Sequence, residues 1–202
     1  MTSIAVLGAG DVGTALIRKW AATAHDVVIG TRDPAQADIV ALAGETGAAA
    51  ASHSEAVARS DVVVFALPGT AVAPVCEALG SVLDSKLVID ATNTLGAPVM
   101  NNVATITQHA PGASIARAFN SVGWENFAEP DFDGIAADML WCGPDGPAGE
   151  TIAALIADVG MRPVYVGGLD QLPVVDMLAS LWFALALGQG RGRHLAFRVL
   201  MR

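Results

Sequence analysis

The chain has 202 residues, a formal net charge of −9, two cysteines and a mean hydropathy of +0.50. Its length predicts one large domain, or one domain with a small addition, and excludes two domains of ordinary size. The acidic surface argues against nucleic acid or an anionic membrane as the main partner, because both would be repelled. An anionic ligand must therefore be met by local positive charge.

Neither the apolar runs nor the cysteines predict a membrane span, a disulfide or a metal site. The longest apolar run, Met177 to Leu187, is shorter than the roughly 20 residues of a membrane-spanning helix, and we expect a buried helix there. No signal peptide is recognisable, so we expect a cytoplasmic protein. Cys76 and Cys142 are isolated, which favours two buried thiols, and we predict no metal.

Short β-branched runs alternate with alanine-rich stretches along the chain, which is typical of parallel βαβ units. Several runs, such as VVVFAL and LVID, are apolar without alternation, and strands covered on both faces have this composition. The predicted strands are Ile4 to Leu7, Val27 to Gly30, Ala49 to Ser52, Val62 to Leu67, Leu87 to Ala91, Ser114 to Ala118, Met139 to Cys142 and Pro163 to Val166. The predicted helices are Val12 to Thr23, Ala71 to Gly80, Val103 to Gln108, Ala148 to Val159 and a final pair from Leu172 to the end.

These elements predict a Rossmann-like α/β fold, in which a doubly wound, mainly parallel sheet carries additional helices at the carboxyl end. We assign residues 1–168 to a dinucleotide-binding domain. Residues 169–202 would be a helical segment that forms an acceptor pocket, a dimer interface or both. A helix that is apolar on nearly every side must be buried by something, and a second copy of the chain is the simplest cover. The sequence therefore predicts a homodimer.

Three glycines follow the first predicted strand in the spacing G-x-G-x-x-G and stand at the start of a helix. Gly8 permits the tight turn, Gly10 lets a pyrophosphate approach the backbone, and Gly13 lets the helix pack on the sheet. The N–H groups of the first helical turn and the positive end of the helix dipole supply the anion site that the acidic surface lacks. The pattern predicts a dinucleotide-binding site.

The end of the second predicted strand indicates which dinucleotide binds. An NAD site would place Asp or Glu about 20 residues after the glycines, to bind both ribose hydroxyls. Thr31 and Arg32 stand there instead, and they suit the 2′-phosphate of NADP. Two alternatives stay open, since Arg32 could pair only with Asp33 at the surface, or Asp33 could itself reach the ribose. The sequence favours NADP(H) as the cofactor.

Six segments recur, in this order, in a known family: GAGDVG, VVIGTRDP, VVVFALPGTAV, VIDATN, ARAFNSVGWENFAEPDF and WCGPDG. The chain thereby resembles, over nearly its whole length, the NADPH-dependent reductases of the deazaflavin coenzyme F420. The resemblance implies an NADPH-dependent oxidoreductase that transfers a hydride between NADPH and a small, flat acceptor, either a deazaflavin or a flavin. Its pocket would lie between the sheet edge and the carboxyl-terminal helices. The same module is similar to the cytosolic domain of membrane metalloreductases.

The resemblance also implies which residues form the site. The cofactor would contact the glycine-rich turn and the ends of the following strands, namely Gly8, Ala9, Gly10, Asp11, Val12, Gly13, Thr31, Arg32, Ala66, Leu67, Pro68 and Asn93. The hydride pocket would be formed by Asn93, Asn120, Ser121, Val122 and Trp182. No His, Cys or carboxylate stands out as a general acid or base. Hydride transfer by proximity does not demand one, so no catalytic residue is assigned.

The final helix departs from the family's pattern, which leaves the acceptor open. Pro173, Met177 and Ala179 stand where the family carries small hydroxyl residues and an arginine. An apolar wall there favours a flavin or a lipophilic quinone, imine or carbonyl acceptor, or else it is a dimer interface. Arginines between positions 191 and 202 suit an anionic acceptor tail or a solvated helix end. The other alternative is a non-catalytic NADP(H)-binding redox sensor, which a pocket filled by Trp182 would favour.

Overall fold

The computed structural model describes all 202 residues as an eight-stranded sheet with helices on both faces and a separate two-stranded hairpin. The strands are β1 (Ser3–Leu7), β2 (Asp26–Thr31), β3 (Ala49–Ser52), β4 (Val62–Phe65), β5 (Leu87–Asp90), β6 (Ser114–Arg117), β7 (Asp131–Phe132), β8 (Ile135–Ala136), β9 (Asp138–Cys142) and β10 (Arg162–Gly167). The helices are α1 (Asp11–Ala21), α2 (Ala37–Thr46), α3 (His53–Ala58), α4 (Val72–Leu79), α5 (Val103–His109), α6 (Glu125–Ala128), α7 (Gly146–Asp158) and α8 (Leu172–Phe183).

The order of the strands in the sheet confirms the predicted fold class. Six parallel strands lie in the order β3-β2-β1-β4-β5-β6, which is the order of the doubly wound dinucleotide-binding sheet. The strands β9 and β10 extend the sheet beyond β6, parallel to each other and antiparallel to β6. The chain reverses its winding between β1 and β4, and ligands of such sheets bind at the carboxyl ends of the strands at this point.

The centre of the sheet is apolar because helices cover both of its faces. Every residue of β4 is buried, as the run VVVF predicts. On one face, Trp20 of α1 is fully buried, its indole N–H donates to the carbonyl of Leu155 in α7 at 3.0 Å, and Phe119 meets its ring edge-on. The helices α3, α4 and α5 supply the core of the other face. This packing fixes the strand ends on which the site is built.

Three helices and the hairpin of β7 and β8 were absent from the sequence-based prediction. The helix α2 contains Gly44, which weakens a helical pattern. The helix α3 has only six residues, too few to show a period, and a capping box of Ser52 and Glu55 fixes its start. The four-residue helix α6 and the two-residue strands of the hairpin are likewise too short to give a periodic signal.

The carboxyl-terminal segment differs from the predicted pair of helices. A 3₁₀ turn before α8 and a π-helical turn after it make one helical segment from Leu169 to Gly188. By length and composition this segment is apolar enough to cross a membrane, and core helices of soluble proteins pass the same test. Residues 189–202 contain no helix and run as an extended tail. The prediction of a second helix is wrong because Gly190 and Gly192 adopt positive φ angles of 63° and 88°, which a helical backbone does not allow.

The extended tail is held against β9 by a buried carboxylate. Asp138 is 1% exposed and accepts two hydrogen bonds from the guanidinium of Arg162, at 2.8 and 2.7 Å. The same carboxylate accepts a bond from the backbone N–H of Val199 at 2.6 Å, and Arg198 lies 3.5 Å away. Since these bonds satisfy a charge that is removed from water, they anchor the tail firmly.

The outer face of α8 stays exposed, so the expectation that this helix is buried is wrong within a single chain. Val175 and Ala179 point inward and are completely buried. Val174, Met177 and Leu181 follow a helical spacing on the opposite side and are 47%, 69% and 46% exposed. An apolar stripe of this kind needs a further surface to cover it.

Candidate functional site

A cavity of 660 Å³ opens at the carboxyl ends of β1, β2 and β4, where the strand order reverses. Its walls come from the turn after β1, the ends of β2 and β4, the start of α3 and one side of α4. The predicted cofactor residues that line it are Gly8, Ala9, Gly10, Thr31, Arg32, Ala66, Leu67 and Pro68. The fold therefore brings together three segments that are far apart in the sequence.

The three glycines of the turn have different physical roles. Gly8 has a φ of +100°, and a Cβ there would lie 2.6 Å from the carbonyl oxygen of Ala66. A Cβ on Gly13 would lie 2.0 Å from the carbonyl oxygen of Gly8, so only glycine lets α1 approach the turn. A Cβ on Gly10 would meet only open space, and this glycine lines the cavity at the start of α1. No side chain separates the backbone of Gly10 from the cavity, so the backbone there leaves room for a pyrophosphate.

Arg32 is free to bind a ligand. Its guanidinium makes no ion pair and no hydrogen bond within the chain, although it lines the cavity. The carboxylate of Asp33 accepts the backbone N–H of Ala35 at 3.0 Å and so closes the turn after β2. The surface pairing of Arg32 with Asp33 that the sequence left open is therefore not formed. The cavity wall carries an uncompensated positive charge next to the hydroxyl of Thr31.

A buried arginine joins the ends of β5 and β6 to α8. The side chain of Arg117 is completely buried, and its guanidinium lies 3.3 Å from the carboxylate of Asp90 and 3.0 Å from that of Asp176 in α8. It also donates to the backbone carbonyls of Asp90 and Thr92 and, at 2.8 Å, to the side-chain oxygen of Asn93. Two carboxylates and three further acceptors thus surround one cation.

The same network orients the loop after β6. The amide group of Asn93, held by Arg117, donates to the backbone carbonyl of Asn120 at 2.8 Å. Asn120 is 3% exposed, and neither its amide nitrogen nor its amide oxygen has a partner in the chain. Because buried polar atoms are almost always hydrogen-bonded, this side chain indicates a ligand or an ordered water. Ser121 and Val122 are buried beside it.

Trp182 packs against the protein's own tail instead of lining the 660 Å³ cavity. Its indole N–H donates to the carbonyl of Leu195 at 2.7 Å, and a Cβ on Gly123 would lie 2.8 Å from its ring. The guanidinium of Arg193 lies over the ring at 5.4 Å and pairs with Glu125. Arg193 is thus engaged within the chain. It is not free to bind an anionic acceptor tail, which is one of the two roles that the sequence leaves open for the tail arginines.

Both cysteines are buried and free, as predicted. Burial raises the pKa of Cys76 to about 11 and that of Cys142 to about 11. Neither side chain is therefore a thiolate at neutral pH, and neither lines the cavity.

Comparison with known proteins gives four concordant likenesses, two from sequence and two from structure. Residues 3–94 match the model of the family described as NADP oxidoreductase, coenzyme F420-dependent. The F420-dependent NADP reductase of Methanothermobacter thermautotrophicus is 25% identical, over 97% of this chain and 94% of that protein. The amino-terminal half of the chain is thus similar to this oxidoreductase family, and the similarity to the Methanothermobacter reductase runs through nearly the whole chain.

Two solved structures of similar length share the fold of this chain. A proposed F420-dependent NADP reductase from Arthrobacter superposes with a TM-score of 0.85 at 23% identity, and each chain is covered completely. A hypothetical protein from Sinorhizobium meliloti superposes with a TM-score of 0.72 at 23% identity, over 100% of this chain and 97% of that one. The likeness in fold therefore extends through the carboxyl-terminal segment.

The remaining predicted residues of this oxidoreductase lie outside the main cavity. Asp11 lines a neighbouring groove of 460 Å³ beside Trp124, and this groove shares Ala9 and Gly10 with the cavity. Val12, Gly13 and Asn93 do not line the cavity. Of the predicted hydride-pocket residues, the asparagines, Ser121 and Val122 lie together, whereas Trp182 belongs to the packing of the tail. The binding roles of all these residues stay predictions.

Sequence reasoning missed two features of the site. His53 lines the cavity next to Arg32, and only the pairing of β2 with β3 brings them together. Asp90, Arg117 and Asp176 form one buried cluster, although the chain separates them by up to 86 residues (176 − 90). A charged residue inside the apolar strand motif ARAF was the available signal for that cluster.

The buried cluster predicts a large effect of Arg117→Met. Methionine fills a similar volume, but it leaves Asp90 without its counter-charge, so we expect a loss of at least about 3 kcal/mol in the free energy of unfolding. Urea unfolding measures this loss. Arg18→Met is the matched control, because Arg18 pairs with Glu45 at the surface and its removal should change the midpoint little. A wild-type midpoint for Arg117→Met would contradict the assignment.

Proposed function

We propose that this oxidoreductase transfers a hydride between NADPH and a deazaflavin coenzyme of the F420 type. The free guanidinium of Arg32 carries the choice of NADP(H), since it occupies the wall where an NAD site has a carboxylate. The family and the relative from Methanothermobacter, which is named an F420-dependent NADP reductase, support the acceptor.

Each wall of the cavity has a role in holding the cofactor. Backbone N–H groups at the start of α1, next to Gly10, bind the pyrophosphate, and Thr31 with Arg32 binds the 2′-phosphate. Pro68 offers no N–H that would compete for the ribose. Outside this cavity, the buried amide of Asn120 has unused hydrogen-bonding groups that suit the nicotinamide carboxamide. When bound, NADPH supplies the hydride, and the protein contributes position and orientation.

The residues of α8 that differ from the family's pattern argue less strongly against a deazaflavin acceptor than the sequence alone suggests. Met177 lies on the exposed face of α8, and Ala179 is buried in the packing below it. The lipophilic character of this stretch is therefore explained by packing and by the exposed stripe, without a quinone or imine acceptor. Neither the matched family nor the relative from Methanothermobacter is described as using a flavin.

A spectrophotometric screen of acceptors tests the proposed reaction. The purified chain with NADPH should reduce coenzyme F420, and FMN, a benzoquinone and a cyclic imine should be reduced at least about a hundredfold more slowly. The Gly10→Val variant is the control, because its side chain would occupy the bare backbone at the cavity and block the cofactor. Faster reduction of any other acceptor would identify a different substrate, and no reduction at all would leave the redox sensor as the better explanation.

Cofactor preference depends on Arg32. Replacing it by Ala should weaken NADPH binding roughly 10- to 100-fold, because a charge-assisted contact with the 2′-phosphate contributes about 1.5 to 3 kcal/mol. The affinity for NADH should stay nearly constant, since NADH lacks this phosphate. Fluorescence titration of both cofactors provides the comparison. Equal losses for NADPH and NADH would refute the assignment.

We also propose that two copies of the chain associate through the exposed stripe of α8, formed by Val174, Met177 and Leu181. The stripe lies on a helix that the sheet covers on one side only, so a symmetric contact would bury the same residues from both copies. The free, buried cysteines are consistent with a reducing compartment, and we place the reaction in the cytoplasm.

Dimerisation predicts that a charge on the stripe separates the copies. Met177→Glu should convert a dimer into a monomer in light scattering at micromolar concentration, because an unpaired carboxylate would be buried at the contact. Val40→Glu is the control, since Val40 is an exposed apolar residue on α2, far from α8 in the fold. A monomeric wild-type chain, or a dimer that survives Met177→Glu, would rule out this interface.

A further inference from the structure

His53 stands beside Arg32 because of the register of the two outer strands. Thr31 lies opposite Ser52 in the parallel pair of β2 and β3. Arg32 and His53 are therefore the first residues beyond the ends of adjacent strands, which are spaced about 4.8 Å apart. Both side chains line the cavity, together with Thr31 and Ser54.

The backbone of His53 is fixed, while its imidazole ring is free. His53 is the first residue of α3, after the capping box in which Ser52 and Glu55 exchange hydrogen bonds of 3.0 and 3.3 Å. The hydroxyl of Ser52, at 2.6 Å, and its backbone N–H both donate to the carboxylate of Glu55 and lower its pKa. The ring nitrogens of His53 make no hydrogen bond and no ion pair in the chain. A ring on a fixed backbone, with both of its nitrogens unused, thus faces the cavity.

The charges around the ring favour the binding of an anion. Burial and the positive charge of Arg32 lower the pKa of His53, so the ring is neutral in the free protein at neutral pH. Asp38 of α2 lines the same cavity, and its Oδ1 accepts the backbone N–H of Ile39 at 2.9 Å. The carboxylate of Asp33 is used by the turn after β2, and Arg59 follows α3. An anion bound between Arg32 and His53 would offset the repulsion by Arg32 that disfavours a protonated ring.

We propose that His53 is a second ligand, beside Arg32, for the 2′-phosphate of NADP(H), and that the ring takes up a proton when the cofactor binds. The inference rests on the proposed NADP specificity and adds a specificity residue and a pH dependence to it. His53 then donates a charge-assisted hydrogen bond to the phosphate. NADH offers no such anion, so its binding is not coupled to this proton.

The sign of the pH effect follows from the proton uptake. Above neutral pH the ring must gain a proton to bind the phosphate, so the affinity for NADPH falls as the pH rises from 7 to 8.5, whereas the affinity for NADH stays flat. The 2′-phosphate has its own second pKa near about 6, and binding next to cations releases a proton from it. The two groups therefore act with opposite signs, and at pH 7.5 the histidine dominates.

Titration calorimetry in two buffers of different ionisation enthalpy tests the inference at pH 7.5. The wild-type chain should take up protons when it binds NADPH and none when it binds NADH. His53→Gln, which keeps a neutral donor, should lose the uptake and bind NADPH roughly tenfold more weakly. Its NADH affinity and thermal unfolding should match the wild type, which shows that the fold is intact.

The outcomes separate this inference from the proposed function. Absence of proton uptake by the wild-type chain with NADPH overturns the role of His53 without any variant. A His53→Gln variant with the wild-type affinity and pH profile for NADPH overturns it as well. A wild-type chain that binds NADH as tightly as NADPH would instead refute the proposed cofactor. If His53→Gln fails to fold, the wild-type calorimetry alone decides.

Discussion

The buried guanidinium of Arg117 is the interaction on which the proposed nicotinamide side of the site depends. Removing a cation from water is costly, and it is stable here because two carboxylates and three neutral acceptors surround it. These acceptors belong to the ends of β5 and β6, the loop after β5 and the helix α8. Arg117 therefore fixes the mutual position of elements that the hydrophobic core alone, being non-directional, would leave free to slide.

A directional network also explains how the loop after β6, which we propose as part of the site, can be rigid without being regular. Arg117 holds the amide of Asn93, Asn93 donates to the backbone of Asn120, and the side chain of Asn120 is left buried with unused hydrogen-bonding groups. Preorganised polar atoms of this kind bind a ligand at little entropic cost, since they are already ordered. The network thereby keeps the unused hydrogen-bonding groups ordered in a segment that would otherwise be a mobile loop.

The predicted features and the missed features differ in a physical way. Runs such as VVVF predicted their strands because covering by helices requires continuous apolar residues, and the glycine spacing predicted the turn because two of its glycines are sterically required. Arg117, Asp176 and His53 escaped the sequence analysis because their meaning comes from contacts between distant segments. A linear pattern shows that Arg117 is charged and lies in a strand, but not that carboxylates meet it in the interior.

The charge distribution links both halves of the site to the acidic surface. With a net charge of −9, the protein repels anions in general, and half of its ten other lysine and arginine side chains pair with carboxylates, as Arg193 and Arg162 do. Arg32 is left unpaired at the cavity, so an anion is attracted at that corner more than elsewhere along the cavity wall. On the other side of the molecule, α8 presents Asp176 to Arg117 and the adjacent Met177 to solvent. Any partner that packs on the exposed stripe therefore acts on the same helix that holds the buried cluster, so association and the geometry of the nicotinamide side share one rigid element.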